Sequence, residues 1–350
     1  MWGIPKEKLT EFAAFLCTDY AVIAPVKQGN TTAFALFAEN SELFLADRPH
    51  YGPKQFLFTD NEEMFRYSGA RVRYSPKKRV KPYLLFLARP CDANAVEVLD
   101  EFFLSGFKDP YYAEKRKDIA LVALLCASPC ENGFCHSVGA NNVEKFDLAL
   151  WESGKHYAAM PGSLKGDRMI RESGLFVKIP DSEQPEVKGS LHIDKDPMIN
   201  EKTLEREAGR CFACAACTTV CPTCTCFEIA DEKELRGKRE SVRRRRWDWC
   251  MSSDFSTISG ICFRSTKKAM LRQFINHKLR DFKKEYGRHM CVGCGRCISH
   301  CPAHISIVNL VGRDDAAAAE RNLQPANDKR QNNNDKPGAK RAKGKAEVSK

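Results

Sequence analysis

Two stretches of this chain repeat one cysteine rhythm, and that rhythm limits how the chain can fold more than any other feature. Cys211, Cys214, Cys217 and Cys221 are separated by two, two and three residues and followed by Pro222; Cys291, Cys294, Cys297 and Cys301 repeat the spacing and end at Pro302. Three thiolates so spaced can wrap three irons of one cubane, while the fourth, beyond an extra residue, crosses to a neighbouring cubane. The spacing therefore predicts two [4Fe-4S] clusters. One is expected on Cys211, Cys214, Cys217 and Cys301, the other on Cys291, Cys294, Cys297 and Cys221. Proline turns the backbone away after each crossing ligand. Small residues between the ligands, Ala213, Ala215, Ala216, Gly293 and Gly295, let N–H groups approach the sulfides. Zinc also accepts four thiolates, but its usual sites separate ligand pairs and do not repeat a complete run.

All but Cys17 and Cys262 of the 17 cysteines fall in three groups at ligand-like spacings. An intracellular chain rarely keeps disulfides, so metal ligation is the expected use. Cys91, Cys126, Cys130 and Cys135 supply a further complete thiol set, either for a third [4Fe-4S] cluster or as structural thiols. Beside them, Asp92 is expected to cap a helix and His136 to support the site from outside. Cys224, Cys226 and Cys250 remain: a partial site, a shield for the neighbouring cluster, or a further metal centre. Cys17 and Cys262 are expected as small buried hydrophobes.

The expected fold class is α+β: an α/β-type region over 1–200, a two-cluster ferredoxin-like module with a long helical insertion over 201–312, and a disordered basic tail over 313–350. Residues 83–88 and 119–125 are near-continuous apolar runs, which suits strands buried on both faces. A helix from 93 to 104 joins them, and Cys91 and Cys126 stand at the two strand ends. The runs 33–38 and 43–46 read as a hairpin. Residues 160–198 read as an irregular link, and 265–286 as the clearest helix, stopped by Gly287.

Net charge is +11, but from Ala316 onward nine Lys or Arg stand against four Asp or Glu in a segment too polar to build a core. No basic stripe interleaved with aromatics marks a nucleic-acid module. Arg243, Arg244, Arg245 and Arg246 read as a solvated turn, an anchor for an acidic partner or a positive field near anionic clusters. No run approaches the roughly 18 apolar residues of a membrane span, and the start has no secretory pattern. The expected location is cytoplasmic.

The segments RCFACAACTTVCPTCTCFEI (210–229), RRWDWC (245–250), FR (263–264) and HMCVGCGRCISHCPAHISI (289–307) resemble the dicluster beta subunits of soluble bidirectional [NiFe] hydrogenases, the sulfhydrogenases, and the A subunits of anaerobic sulfite reductases. The likeness reaches the first half in ARPCDANAV (88–96) and DPYYAEKRKDIALVALLCASPCENGFCHSVGA (109–140). It implies a non-catalytic electron-transfer subunit, working between a flavin-bearing, NAD(P)-linked subunit and a metal catalytic subunit. It also favours the third cluster on Cys91, Cys126, Cys130 and Cys135. The rival functions are electron input to a sulfite reductase, a flavin-binding redox subunit, and a nucleic-acid-processing protein with a structural cluster. No G-x-G-x-x-G fingerprint follows a strand to support the flavin rival.

Overall fold

A computed structural model describes residues 1–74, 79–233 and 240–311. The expected basic tail, 313–350, lies outside the described residues. In the first region the strands are β1 (Trp2–Pro5), β2 (Ala21–Gln28), β3 (Thr31–Leu36), β4 (Glu62–Ser68), β5 (Arg71–Arg73) and β6 (Tyr83–Ala88). After these come β7 (Ala120–Leu124), β8 (Leu148–Ser153), β9 (His156–Pro161), β10 (Val177–Lys178), β11 (Phe227–Lys233) and β12 (Ser241–Trp247).

Eight strands form one sheet in the order β10-β1-β9-β8-β7-β6-β2-β3. Its centre is parallel, β2 with β6, β6 with β7, and β7 with β8. Helices cover both faces, as a parallel centre requires. Phe12 and Leu16 of helix Leu9–Leu16 pack with Met169 and Ile170 of helix Leu164–Ser173 on one side. Val96, Leu99 and Phe103 of helix Pro90–Leu104 pack with Tyr112 on the other. The two apolar runs thus become adjacent parallel strands, β6 and β7, and their C-terminal ends lie side by side.

A second sheet, β11-β12-β4-β5, pairs strands from both halves of the sequence. The described residues up to Val311 accordingly belong to one compact unit. The cluster-bearing region is helix-rich: Leu204, Met270, Leu271, Phe274, Ile275, Leu279, Ile305 and Ile307 are buried, and the thiols pack against them. Among the described residues no helix is long and apolar enough to cross a membrane.

Four local expectations change. The hairpin is β2–β3, turned at Gly29 with φ +60; the run 43–46 contributes only an isolated bridge, Val26 to Leu43. Within 160–198 stands helix Leu164–Ser173, capped by the Ser163 side chain and stopped by Gly174 in the left-handed region. Asp92 is no cap, because the helix begins earlier, at Pro90, and Asp92 lies buried in its first turn. Arg243 to Arg246 form neither a solvated turn nor a free patch. They lie on β12, where Asp231 and Glu232 of β11, Glu62 and Glu63 of β4, and Asp109 before helix Pro110–Arg116 pair with them. The long helix stands as expected, as Lys267–Asn276, a π-helical turn His277–Asp281 and Phe282–Tyr286, with Gly287 at φ +78 ending it.

Candidate iron-sulfur sites

Helix Glu201–Arg210 delivers the chain to Cys211, and the end of helix Phe282–Tyr286 delivers it to Cys291. From there the two cysteine runs take the same path. Ala213 and Ala215 have φ of +53 and +61; Gly293 and Gly295, their counterparts, have +62 and +73. The left-handed residues aim backbone N–H groups at sulfur: Ala213 donates to Cys211 Sγ and Gly293 to Cys291 Sγ, both at 3.3 Å. Short helical turns, Ala216–Thr219 and Arg296–Ser299, follow in each run.

The fourth cysteine of each run leaves its own three. Cys211, Cys214 and Cys217 line a void together with Cys301, walled by Met251, Leu271, Phe274 and Ile305. Cys291, Cys294 and Cys297 line a second void with Cys221. Cys297 borders both voids, and Phe274 and Ile307 stand between them. No three His, Cys, Asp or Glu side chains among the described residues gather at single-ion distance; the thiols surround space instead of converging on a point.

Burial, reinforced by neighbouring thiols, pushes Cys217 and Cys291 up to about 12 and drives Cys297 up as well. Thiolates in such apolar surroundings need a cation, which iron supplies as ligand protons leave. The donor set therefore fits cubane clusters.

Buried cations flank the runs, Lys278 and Arg296 among them. Lys278, 3% exposed, donates from Nζ to Cys221 Sγ at 3.2 Å and to Thr223 Oγ1 at 3.4 Å. Burial opposes its charge, but Cys221, Cys224 and Cys291 outweigh it and hold its pKa well above the ordinary lysine range. Arg296, inside the second run, pairs with Asp92 and donates to the Pro49 carbonyl at 2.9 Å. Neither cation carries a sequence signal, since one lies on a generally basic helix and the other is an unconstrained position between ligands.

Cys91, Cys126, Cys130 and Cys135 line one cavity of about 320 Å³ with Arg48, Arg89, Gly293 and Cys294. Their placement follows from the sheet. At Leu87, φ +58, β6 slips by one residue against β7, and the bulge re-aims the chain into Pro90 and Cys91. Burial raises Cys126 to about 11 and Cys91 further. Arg48, 7% exposed, lies against Cys130 and Cys294; burial opposes its charge, yet those thiols keep its pKa above the ordinary value.

The loop carrying Cys130 and Cys135 docks directly on the second run. Phe134 N–H donates to the Gly293 carbonyl at 2.8 Å. A Cβ on Gly293 would meet Cys135 N at 2.6 Å, and one on Gly295 would meet the Asn132 carbonyl oxygen at 2.2 Å. That contact explains glycine here where the first run has alanine. His136 Nδ1 accepts from Gly189 N–H at 2.8 Å, fixing the loop's far side. Cys224, Cys226 and Cys250 meet around a separate void, while Cys17 and Cys262 are half-buried and stand apart.

Residues 210–305 match the family model described as a 4Fe-4S dicluster domain. Over 310 aligned residues the chain is 30% identical to Sulfhydrogenase 2 subunit beta of Pyrococcus furiosus, covering 83% of this chain and 91% of that protein. No solved structure matches significantly. Twin runs around twin voids, a dicluster match across them and a likeness spanning most of both chains agree: this is an iron-sulfur electron-carrier subunit, and the chain belongs to the family of sulfhydrogenase beta subunits.

Proposed function

We propose that the chain is a cytoplasmic relay that passes single electrons between a flavin-bearing, NAD(P)-linked subunit and a metal catalytic subunit such as a [NiFe] hydrogenase. Cys211, Cys214, Cys217 and Cys301 ligate one [4Fe-4S] cluster, and Cys291, Cys294, Cys297 and Cys221 ligate the other. Cys91, Cys126, Cys130 and Cys135 hold a third, so that residues 1–200 extend the wire built on 201–312.

The observation that carries this reading is the crossing of Cys221 and Cys301 between the two voids, the arrangement that ties two cubanes into one conductor. The third centre rests on the cavity that its four thiols share with Cys294, a residue of the second run. Contact through one ligand makes the order of transfer third centre, second run, first run.

The test is anaerobic purification of the chain with whatever copurifies. A fall of about four irons and four labile sulfides per chain in Cys91→Ser supports the third centre. Nickel and flavin on separate copurifying subunits support the named partners. An iron content that Cys91→Ser leaves unchanged removes the third centre, and stoichiometric flavin on this chain alone overturns the division of roles.

A further inference from the structure

The sequence does not stop supplying thiols at Cys221. Cys224, Cys226 and Cys250, which the clusters above do not use, line one void together with His277. Its volume is about 10 Å³, against about 20 Å³ for the void among Cys221, Cys291, Cys294 and Cys297. The four donors come from three segments: the turn after Cys221, the residues after β12, and the first position of the π-helical turn His277–Asp281. A π turn widens the helix by one residue, and such turns concentrate at functional sites. Here His277 and its neighbour Lys278 both reach the same void.

A buried free cysteine is ordinarily a small hydrophobe. Cys224 and Cys250 are 6% and 5% exposed, which fits that use for either alone. Three thiols and an imidazole on one void make a donor set. The remaining lining is Thr225, Phe274, Met290 and Lys278, so no other acidic or imidazole group competes. No hydrogen bond engages the His277 ring among the described residues. These donors do not gather at single-ion distance, and neither do those of the two matched runs. In this the donors resemble the two matched runs more than a closed single-ion site.

We propose that Cys224, Cys226, Cys250 and His277 hold a further iron-sulfur cluster, with Lys278 as a cation shared between it and the second run. Lys278 lines both voids and donates to Cys221. With a neutral imidazole in place of one thiolate, this centre carries one negative charge fewer than its neighbours and holds an electron at higher potential. It acts as a sink beside the wire. The inference stands apart from the Cys91 centre and does not require it.

The test uses the full chain, purified anaerobically with its copurifying partners. Iron, labile sulfide and zinc are counted in the natural protein and in Cys250→Ser, His277→Cys, Cys91→Ser and Cys262→Ser, and redox titrations are followed by EPR. Cys250→Ser should lose about four irons while the signals of the two matched runs persist, and the same loss should appear in the Cys91→Ser background. His277→Cys should keep the iron and lower one midpoint potential, which a merely structural histidine would not do. Cys262→Ser should change nothing. Unchanged iron in Cys250→Ser, one zinc lost in place of iron, or His277→Cys with every midpoint unmoved would each overturn the proposal.

Discussion

Arg296 and Asp92 bury a charge each, with Nη1 2.8 Å from Oδ1 and side chains 1% and 0% exposed. One hydrogen bond, from Nη2 to Oδ2 at 3.1 Å, joins the two side chains. It ties the second cysteine run to the first turn of the helix that carries Cys91, and the two cannot shift independently. Removing one partner of a buried pair strands the other charge, at a cost of about 3–5 kcal/mol. Asp92→Ala should therefore lower stability by that order in denaturant unfolding of the holoprotein. Replacing both residues by apolar ones should recover much of the loss. Equal stability of Asp92→Ala and the natural chain would show that the pair does not join the regions.

The crossing ligands make a directional prediction. Cys301→Ser should first alter the cluster held by Cys211, Cys214 and Cys217, whose void Cys301 completes. Cys221→Ser should reverse the pattern. EPR of singly reduced samples distinguishes the two. Connectivity in which Cys301 binds beside Cys291, Cys294 and Cys297 would defeat the crossed arrangement even with the iron count intact.

The same backbone path tolerates different residues in the two runs. Gly295→Ala would place a methyl 2.2 Å from the Asn132 carbonyl, so the loop bearing Cys130 and Cys135 must retreat. The expected result is loss of about four irons from the centre proposed at Cys91, with the matched runs still loaded. Ala215→Gly, at φ +61, removes a side chain from a left-handed position and should leave the iron content unchanged. Equal iron in both variants would mean that the loop does not depend on this close approach.

What could be read from the chain follows the range of the interaction. Ligand spacing is local, so the two runs are visible as strings, and the apolar runs of β6 and β7 announce buried strands. Thr266 and Gly287, capping and stopping a periodic stretch, mark the long helix. Asp92 finds its partner 204 residues away, which no local pattern encodes. Arg243 to Arg246 look like free charge because their carboxylates come from β4, β11 and Asp109. Helix Leu164–Ser173 buries only Gly166, Met169 and Ile170, too narrow a stripe to stand out. The β2–β3 turn carries a local signal in Gly29-Asn30, which the more apolar run at 43–46 outweighs.

Lys278 offers the sharpest electrostatic test, because its ammonium lies 3.2 Å from Cys221 Sγ and is 3% exposed. A positive charge stabilises the more negative, reduced state of a cluster more than the oxidised state, so its removal should lower the reduction potential. At an effective dielectric of about 20 and a separation of roughly 6 Å, one unit charge is worth about 3 kcal/mol. For a one-electron couple that is on the order of 100 mV. Lys278→Met should thus shift the cluster on Cys291, Cys294, Cys297 and Cys221 downward by that order with its iron retained, while the cluster completed by Cys301 moves less. Lys278→Arg, which keeps the charge, should restore most of the shift and separates electrostatics from packing. A potential that stays put in fully loaded Lys278→Met would mean that the ammonium balances another anion. Because Lys278 also lines the void of Cys224, Cys226 and Cys250, the first suspect would be a negative centre held there.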